Sequence, residues 1–388
     1  MIYDTVVVGG GVMGLATAYS LLKRGLRRVI VLERETIGHD RAASTDNTKA
    51  IRYEYAEWEQ YSLMVGRAIE LWRELEARSG AELYVNSGVL CWGRDEARYA
   101  RKSFKTLSRL GLPIREVSLE EMCQLYPEFS PADITYATVN TEGGFLRASR
   151  CVSTLATLVR EMGGEIREGC HVTGLSQRGQ ATEVEVSGGE RVAASHLVLA
   201  AGAWGASLLP SMGITLPLSA HKQQVMYISG LPDSFSAGRF PVFLNLDNDF
   251  YGFPLDEAGL LKVSVHYPGP LVDPDVPEPP NPGYDDTLRA LVRTYIPRAA
   301  EGRVPLSRVC MYAMTPDEDF ILDRVPGYES VFVAAGFSGH GFKFGPVIGD
   351  MMAALVLGER AEFSLEPFAL SRFEASGSMG NKKADPRP

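Results

Sequence analysis

Val6-Val7-Val8-Gly9-Gly10-Gly11-Val12-Met13-Gly14, followed by Leu15, Ala18 and Leu22 at helical spacing, decides the fold. The β-branched run reads as a buried strand, the glycines as a turn, and the recurring apolar residues as a helix. The glycines satisfy G-x-G-x-x-G in the context that gives the motif meaning, after a strand and opening a helix. Gly9 permits the tight turn, and Gly11 lets a pyrophosphate approach the backbone. Gly14 lets the helix sit close on the strand while its N-terminal N–H groups face the phosphates. A second strand is predicted over Val29–Leu32 and ends at Glu33, about 20 residues beyond the glycines, where a carboxylate accepts hydrogen bonds from a ribose. The pattern predicts a dinucleotide site, and FAD and NAD use the same fingerprint.

Outward from this unit, Leu197–Leu199 runs into Ala200-Ala201-Gly202, and Val331–Val333 into Ala334-Ala335-Gly336. Both read as parallel-sheet strands ending in glycine loops, so the chain visits one α/β sheet at its start, middle and end. From about residue 216 the texture changes. Gln224–Ile228, Val242–Leu246, Phe250–Phe253 and Leu260–Val265 are separated by Gly, Pro, Asp and Asn, as an antiparallel meander requires. Ser118 and Glu121 give a capping-box signal for a short helix that Pro127 ends. No internal repeat is present.

Composition excludes several function classes. With 388 residues, 45% hydrophobic and 22% charged, the chain has a globular balance. A net charge of −9 works against nucleic acid and anionic membrane as partners. Cys91, Cys123, Cys151, Cys170 and Cys310 stand singly, without the spacing of a zinc site or a disulfide scaffold, so no metal is expected and reduced thiols fit a cytoplasmic protein. No apolar run reaches the 18 or so residues of a membrane span. The N-terminus goes straight into a strand and reads as structure rather than as a leader.

Strand alternation points to a second functional region. In Leu261-Lys262-Val263-Ser264-Val265-His266, the residues Lys262, Ser264 and His266 share one face. On pattern alone that face reads first as the solvated side of an antiparallel sheet. Lys343 lies in a loop with Gly336, Gly339 and Gly341, a composition that brings backbone close to a ligand. Its flanking Phe342 and Phe344 argue for partial burial.

The N-terminal fingerprint, Leu199-Ala200-Ala201-Gly202-Ala203-Trp204 and Gly336-Phe337-Ser338-Gly339-His340-Gly341-Phe342-Lys343 together resemble the D-amino acid oxidase superfamily of flavoproteins, and within it the monomeric sarcosine oxidase and N-methyltryptophan oxidase branch, over nearly the whole chain. The resemblance implies a Rossmann-like FAD-binding domain (1–80, 151–215 and 311–375), interleaved with a substrate-binding domain on an antiparallel sheet (81–150 and 216–310), and a disordered tail at 376–388. It implies FAD held by Gly9, Gly11, Gly14, Glu33, Gly202, Gly339 and Lys343, and attached through a thioether to Cys310, which sits in Cys310-Met311-Tyr312 ahead of Thr315-Pro316-Asp317-Glu318. It places Arg52 under the flavin, with Lys49 where the branch has arginine; the charge is kept and the planar fork is not. It also places Lys262 where oxygen reacts, Tyr251 and His266 along the substrate cavity, and Lys343 on the substrate carboxylate.

The activity implied is a monomeric oxidase of secondary amino acids such as sarcosine. It would take the C–N bond to an imine with O2 as acceptor, giving aldehyde, amine and hydrogen peroxide after hydrolysis. Alternatives are an oxidase of bulkier N-methyltryptophan-like, N-carboxymethyl or cyclic imino acids, an NAD-dependent dehydrogenase, and a non-catalytic binding protein.

Overall fold

The computed structural model describes residues 2–94, 99–178, 181–245 and 247–373. The tail expected at 376–388 lies outside these residues. The first strand, Ile2–Val8, lies at the centre of an eight-stranded mixed sheet, parallel to Arg191–Leu199 on one side and to Val29–Leu32 on the other. Its consecutive valines point to opposite faces, Val7 into one apolar cluster and Val6 and Val8 into another. A strand covered on both faces is what an unbroken β-branched run encodes. Glu165–Arg167 extends the sheet beyond Val29–Leu32, and Val331–Ala335 pairs parallel with Arg191–Leu199. Helices Val12–Lys23, Glu59–Ser79, Ala148–Glu161 and Gly345–Leu357 contribute to the Val7 cluster. The antiparallel strands Val172–Arg178 and Ala181–Val186 contribute to the other.

The second sheet also has eight strands, in the order Arg303–Met314, Ser219–Ser229, Leu261–Val265, Phe250–Gly252, Val242–Asn245, Val89–Gly93, Tyr136–Asn140 and Arg115–Val117. Every neighbouring pair is antiparallel except Val242–Asn245 with Val89–Gly93. One face packs Trp92, Phe243, Phe250 and Val263 against Leu288 and Val292 of helix Pro282–Tyr295. The chain thus combines a Rossmann-type sheet with a largely antiparallel one, as the sequence predicts.

Two details differ from the sequence reading. Ser219–Ser229 begins five residues ahead of Gln224, because the polar run Ser219-Ala220-His221-Lys222-Gln223 is paired in register with Cys310–Met314; ladder bonds rather than apolar alternation hold it. A third sheet, Thr48–Ile51 with Gly144–Arg147 and Tyr84–Val85, was not legible in the pattern. The strand Arg303–Met314 spans residues 310 and 311, between which the expected domain boundary falls. The capping signal is met: Ser118 Oγ accepts from the Glu121 N–H at 3.0 Å, and the helix Leu119–Leu125 stops before Pro127.

Candidate active site

A groove runs along the carboxyl ends of the parallel strands, lined by Gly9, Gly11, Glu33, Gly202 and Gly339 among others. Its shape is set by backbone. A Cβ on Gly14 would lie 1.9 Å from Gly9 O, and one on Gly9 2.4 Å from Ala200 O, so neither position accepts a side chain. The first-turn N–H groups of helix Val12–Lys23 lack intrahelical partners, and Ser44 Oγ takes the one on Val12 at 3.0 Å. At the groove's end the Glu33 carboxylate accepts from the N–H of Gly10 at 2.7 Å and of Glu35 at 2.9 Å. These bonds fix its direction and leave each oxygen a lone pair for a hydroxyl donor. The chemistry of the groove therefore fits an adenine dinucleotide: small residues and amides for the pyrophosphate, an oriented carboxylate for the ribose.

A second cavity shares Lys49, Tyr312, Gly339 and Phe342 with the groove. Its lining includes Lys49, Arg52, Tyr251, Lys262, His266, Cys310 and Lys343, so residues from five segments of the chain meet there. Lys262, in the strand Leu261–Val265, is 2% exposed and Ser264 is fully buried, so the face they share is not solvated. Ser264 is not among the lining residues, and its Oγ donates to Gln224 O at 2.6 Å.

Lys262 Nζ donates to Asp46 Oδ2 and to Thr48 O, both at 2.6 Å, and lies 4.4 Å from the Phe253 ring centre. The other oxygen of Asp46 accepts from the Tyr227 hydroxyl and from the Asn47 N–H at 2.8 Å, and Lys49 Nζ stands 3.5 Å from Asp46 Oδ2. Burial opposes the charge on Asp46, yet Lys262 and Lys49 hold its carboxyl well below the usual carboxylate range. Burial likewise pulls Lys262 below an ordinary lysine while Asp46 pulls it back. With two N–H groups engaged, Lys262 keeps one for the cavity.

Arg52 is buried, its Nη1 donating to Glu54 O and its guanidinium carbon 4.8 Å from the centre of the Tyr55 ring. Lys343 Nζ donates to the Tyr55 hydroxyl at 2.8 Å and to His340 O at 2.7 Å, again leaving one donor. Burial, with Arg52 nearby, pushes Lys343 well below an ordinary lysine, and Glu54 resists. Tyr251 is raised by burial and stacks edge-on to His266, ring centres 6.2 Å apart; His266 Nδ1 is 3.3 Å from the Tyr312 hydroxyl. Cys310 is a free, buried thiol that burial pushes up, against Lys49 and Lys262. His340, unassigned from sequence, packs between the Tyr55 hydroxyl at 3.3 Å and Glu318 O at 3.1 Å, and burial and Lys343 keep it neutral.

Sequence reasoning missed Asp46, Tyr55, Tyr227 and Asp249. Asp46 stands three residues before Lys49 but joins Lys262 only through the fold. Asp249 lies two residues before Tyr251, in the turn ahead of the strand Phe250–Gly252, and lines the cavity from there.

Residues 4–355 match the family model described as FAD dependent oxidoreductase. The chain is 33% identical to the peroxisomal sarcosine oxidase of Homo sapiens, covering 97% of each chain. It is 30% identical to the N-methyl-L-tryptophan oxidase of Salmonella arizonae, covering 96% of this chain and 100% of that one. The crystal structure of L-proline dehydrogenase from P. horikoshii superposes with a TM-score of 0.87 at 22% identity, over 97% of this chain and 98% of that one, and shows the same fold.

Proposed function

The chain belongs to the FAD dependent oxidoreductase family, and from that premise we propose that it is an oxidase of secondary, N-alkyl amino acids with O2 as acceptor. The observation that carries this is a buried cavity opening onto the dinucleotide groove and lined by Arg52 and Lys343, two cations suited to one carboxylate. Bound FAD would accept a hydride equivalent from the carbon next to nitrogen and pass two electrons to O2, giving hydrogen peroxide.

The protein's own part is orientation and charge. Arg52 and the remaining N–H of Lys343 hold the substrate carboxylate in a site of low dielectric, where charge-assisted bonds are strong. That fixes the reacting carbon in one place. Tyr251 and His266 line the space around the amine and bias it toward its unprotonated form. Lys262, kept charged by Asp46, is a preorganised cation for negative charge developing on oxygen. Gly9, Gly11, Gly14, Glu33, Gly202 and Gly339 would hold FAD, with Cys310 as its thioether attachment. Segments 1–80, 151–215 and 311–375 form the FAD-binding domain, and 81–150 with 216–310 the substrate-binding domain, the strand Arg303–Met314 bridging the two. Among the described residues no helix is long and apolar enough to cross a membrane. The free cysteines fit a cytoplasmic enzyme, and a monomer is what the resemblance to the sarcosine oxidase branch implies.

The test is anaerobic addition of N-methylglycine and its N-ethyl and N-propyl homologues to the purified holoenzyme. Bleaching of the flavin, with peroxide released once air is admitted, is the expected result. A flavin that no N-alkyl amino acid reduces would overturn the proposal.

A further inference from the structure

One carboxylate in the cavity has no part in holding a substrate carboxylate or in reducing oxygen. Asp249 ends the turn before the strand Phe250–Gly252, with a φ of 57°, and lines the cavity together with Tyr251 and Phe253. The pairs Phe250 with Val265 and Tyr251 with Ser264 set it opposite His266, whose backbone N–H donates to Asp249 O at 2.8 Å. Exposure rises along these strands: Lys262 and Ser264 are buried, whereas Tyr251, His266 and Asp249 are half-buried. Asp249 therefore stands at the outer end of the cavity, and the Lys262–Asp46 pair at the inner end.

Its surroundings leave the charge unanswered. Among the described residues the Asp249 carboxylate makes no hydrogen bond and no ion pair. Burial pushes it up to about 6, against the pull of Arg52, which acts on it without contact. Asp46, by comparison, has Lys262, Lys49 and Tyr227 around it. A half-buried carboxylate facing a cavity and lacking a partner is a site for a cation on the ligand.

We propose that Asp249 is a specificity-determining residue, and that the cavity takes N-alkyl amino acids whose N-substituent ends in an ammonium or guanidinium group. Arg52 and Lys343 hold the carboxylate, and Asp249 holds the distal cation. This rests on the proposed oxidase activity and names its substrate class. A methyl group on nitrogen is too short and too apolar to engage Asp249.

The test compares N-(3-aminopropyl)glycine, N-propylglycine and N-(2-carboxyethyl)glycine on the wild-type holoenzyme, on Asp249→Asn and on Asp249→Lys. The wild type is expected to favour the ammonium tail over propyl by about 10- to 100-fold in kcat/KM, the range of a charge-assisted hydrogen bond. Asp249→Asn should erase that ratio, mainly through KM, and Asp249→Lys should shift it toward the carboxylate tail. A binding measurement gives the same comparison without turnover: 5-aminovalerate should perturb the visible spectrum of the wild-type flavin at lower concentration than valerate does, and Asp249→Asn should bring the two together. Equal treatment of ammonium and propyl tails by the wild type would overturn the inference while leaving the oxidase activity standing. An equal fall in kcat for all three substrates in Asp249→Asn would overturn it in favour of a proton acceptor for the reacting amine. A flavin that no N-alkyl amino acid reduces would remove the parent proposal and this one with it.

Discussion

The groove and the cavity are built by opposite means. The groove is made of backbone, its critical contacts lying between residues close in sequence or on adjacent parallel strands: Gly9 with Gly14, and Gly10 with Glu33. The cavity is made of side chains that are far apart in sequence, such as Lys262 and Asp46 or Lys343 and Tyr55. A backbone site tolerates no added atom, and here only Glu33, at the groove's end, brings a charge that matters. A side-chain site tolerates changes of shape but depends on each buried charge having its counterpart. The two regions should therefore fail differently.

Gly14→Val tests the first half and carries the largest expected effect. The new Cβ would overlap Gly9 O, a backbone atom of the turn that follows the central strand, and the helix cannot back away without leaving the apolar cluster it packs into. A loss above about 4 kcal/mol is expected, as for other severe core clashes, read as a lower unfolding midpoint and colourless protein. A yellow Gly14→Val protein of wild-type stability would break the account of the groove. Next in size is Asp46→Asn, which strands the Lys262 ammonium in a dry site and should cost about 3–5 kcal/mol. Adding Lys262→Met to Asp46→Asn should recover part of that loss, because the orphaned charge goes with it, and a double-mutant cycle on unfolding free energies measures the coupling. A cost below about 1 kcal/mol for Asp46→Asn would show that the pair is not what keeps Lys262 buried, and the contrast between the two regions would weaken accordingly.

The same contrast explains what was legible in the sequence. Gly9, Gly11, Gly14 and Glu33 could be read because a strand, a turn and a helix in immediate succession leave one local geometry, and the groove follows from it. The meander could be read from its apolar alternation, and the resemblance pointed to Lys262, Tyr251 and Lys343. The partners were not legible. Asp46 is 216 positions from Lys262, and Tyr227 reaches it from a third segment, so no spacing rule links them. Glu54 looks like a surface residue in the sequence, yet it is buried behind Arg52 with neither carboxylate oxygen hydrogen-bonded among the described residues. Buried charge is a property of the assembled sheets, and local pattern does not encode it.

Lys343 sharpens the comparison within the cavity, because it is the cation whose charge burial weakens most. Its ammonium is held well below the ordinary lysine range by burial and by Arg52. The charged form therefore prevails at low pH and is lost as pH rises through that lowered value. Affinity for an inert carboxylate such as valerate should fall over the same interval, while Arg52 stays protonated and preserves a residual affinity. Lys343→Met should remove the pH step and weaken binding on its low-pH side by about 10- to 100-fold, the worth of a hydrogen bond to a charged group. Titration of the flavin's visible spectrum reads both. An affinity that ignores pH and survives Lys343→Met would take Lys343 out of the site.

The smallest effect belongs to Asp249, where the sign reverses. Its carboxyl rises from the ordinary 3.8 to about 6 in the folded chain, so the folded state binds the proton more tightly than the unfolded one. The stability this group contributes is fully present below about pH 4 and is lost as pH rises through about 6. A rise of this size corresponds to about 3 kcal/mol for a buried group, and screening at a half-exposed position reduces it to about 1–2 kcal/mol. Asp249→Asn should accordingly unfold about 1–2 kcal/mol later than the wild type at pH 8, with the difference closing as pH falls from 6 to 4. Lys262 and Asp46, each stabilised by the other, should show no such gain when one of them is neutralised. A wild-type protein more stable than Asp249→Asn at pH 8 would mean that Asp249 already has its cation within the chain, and the outer end of the cavity would then be built like the inner end.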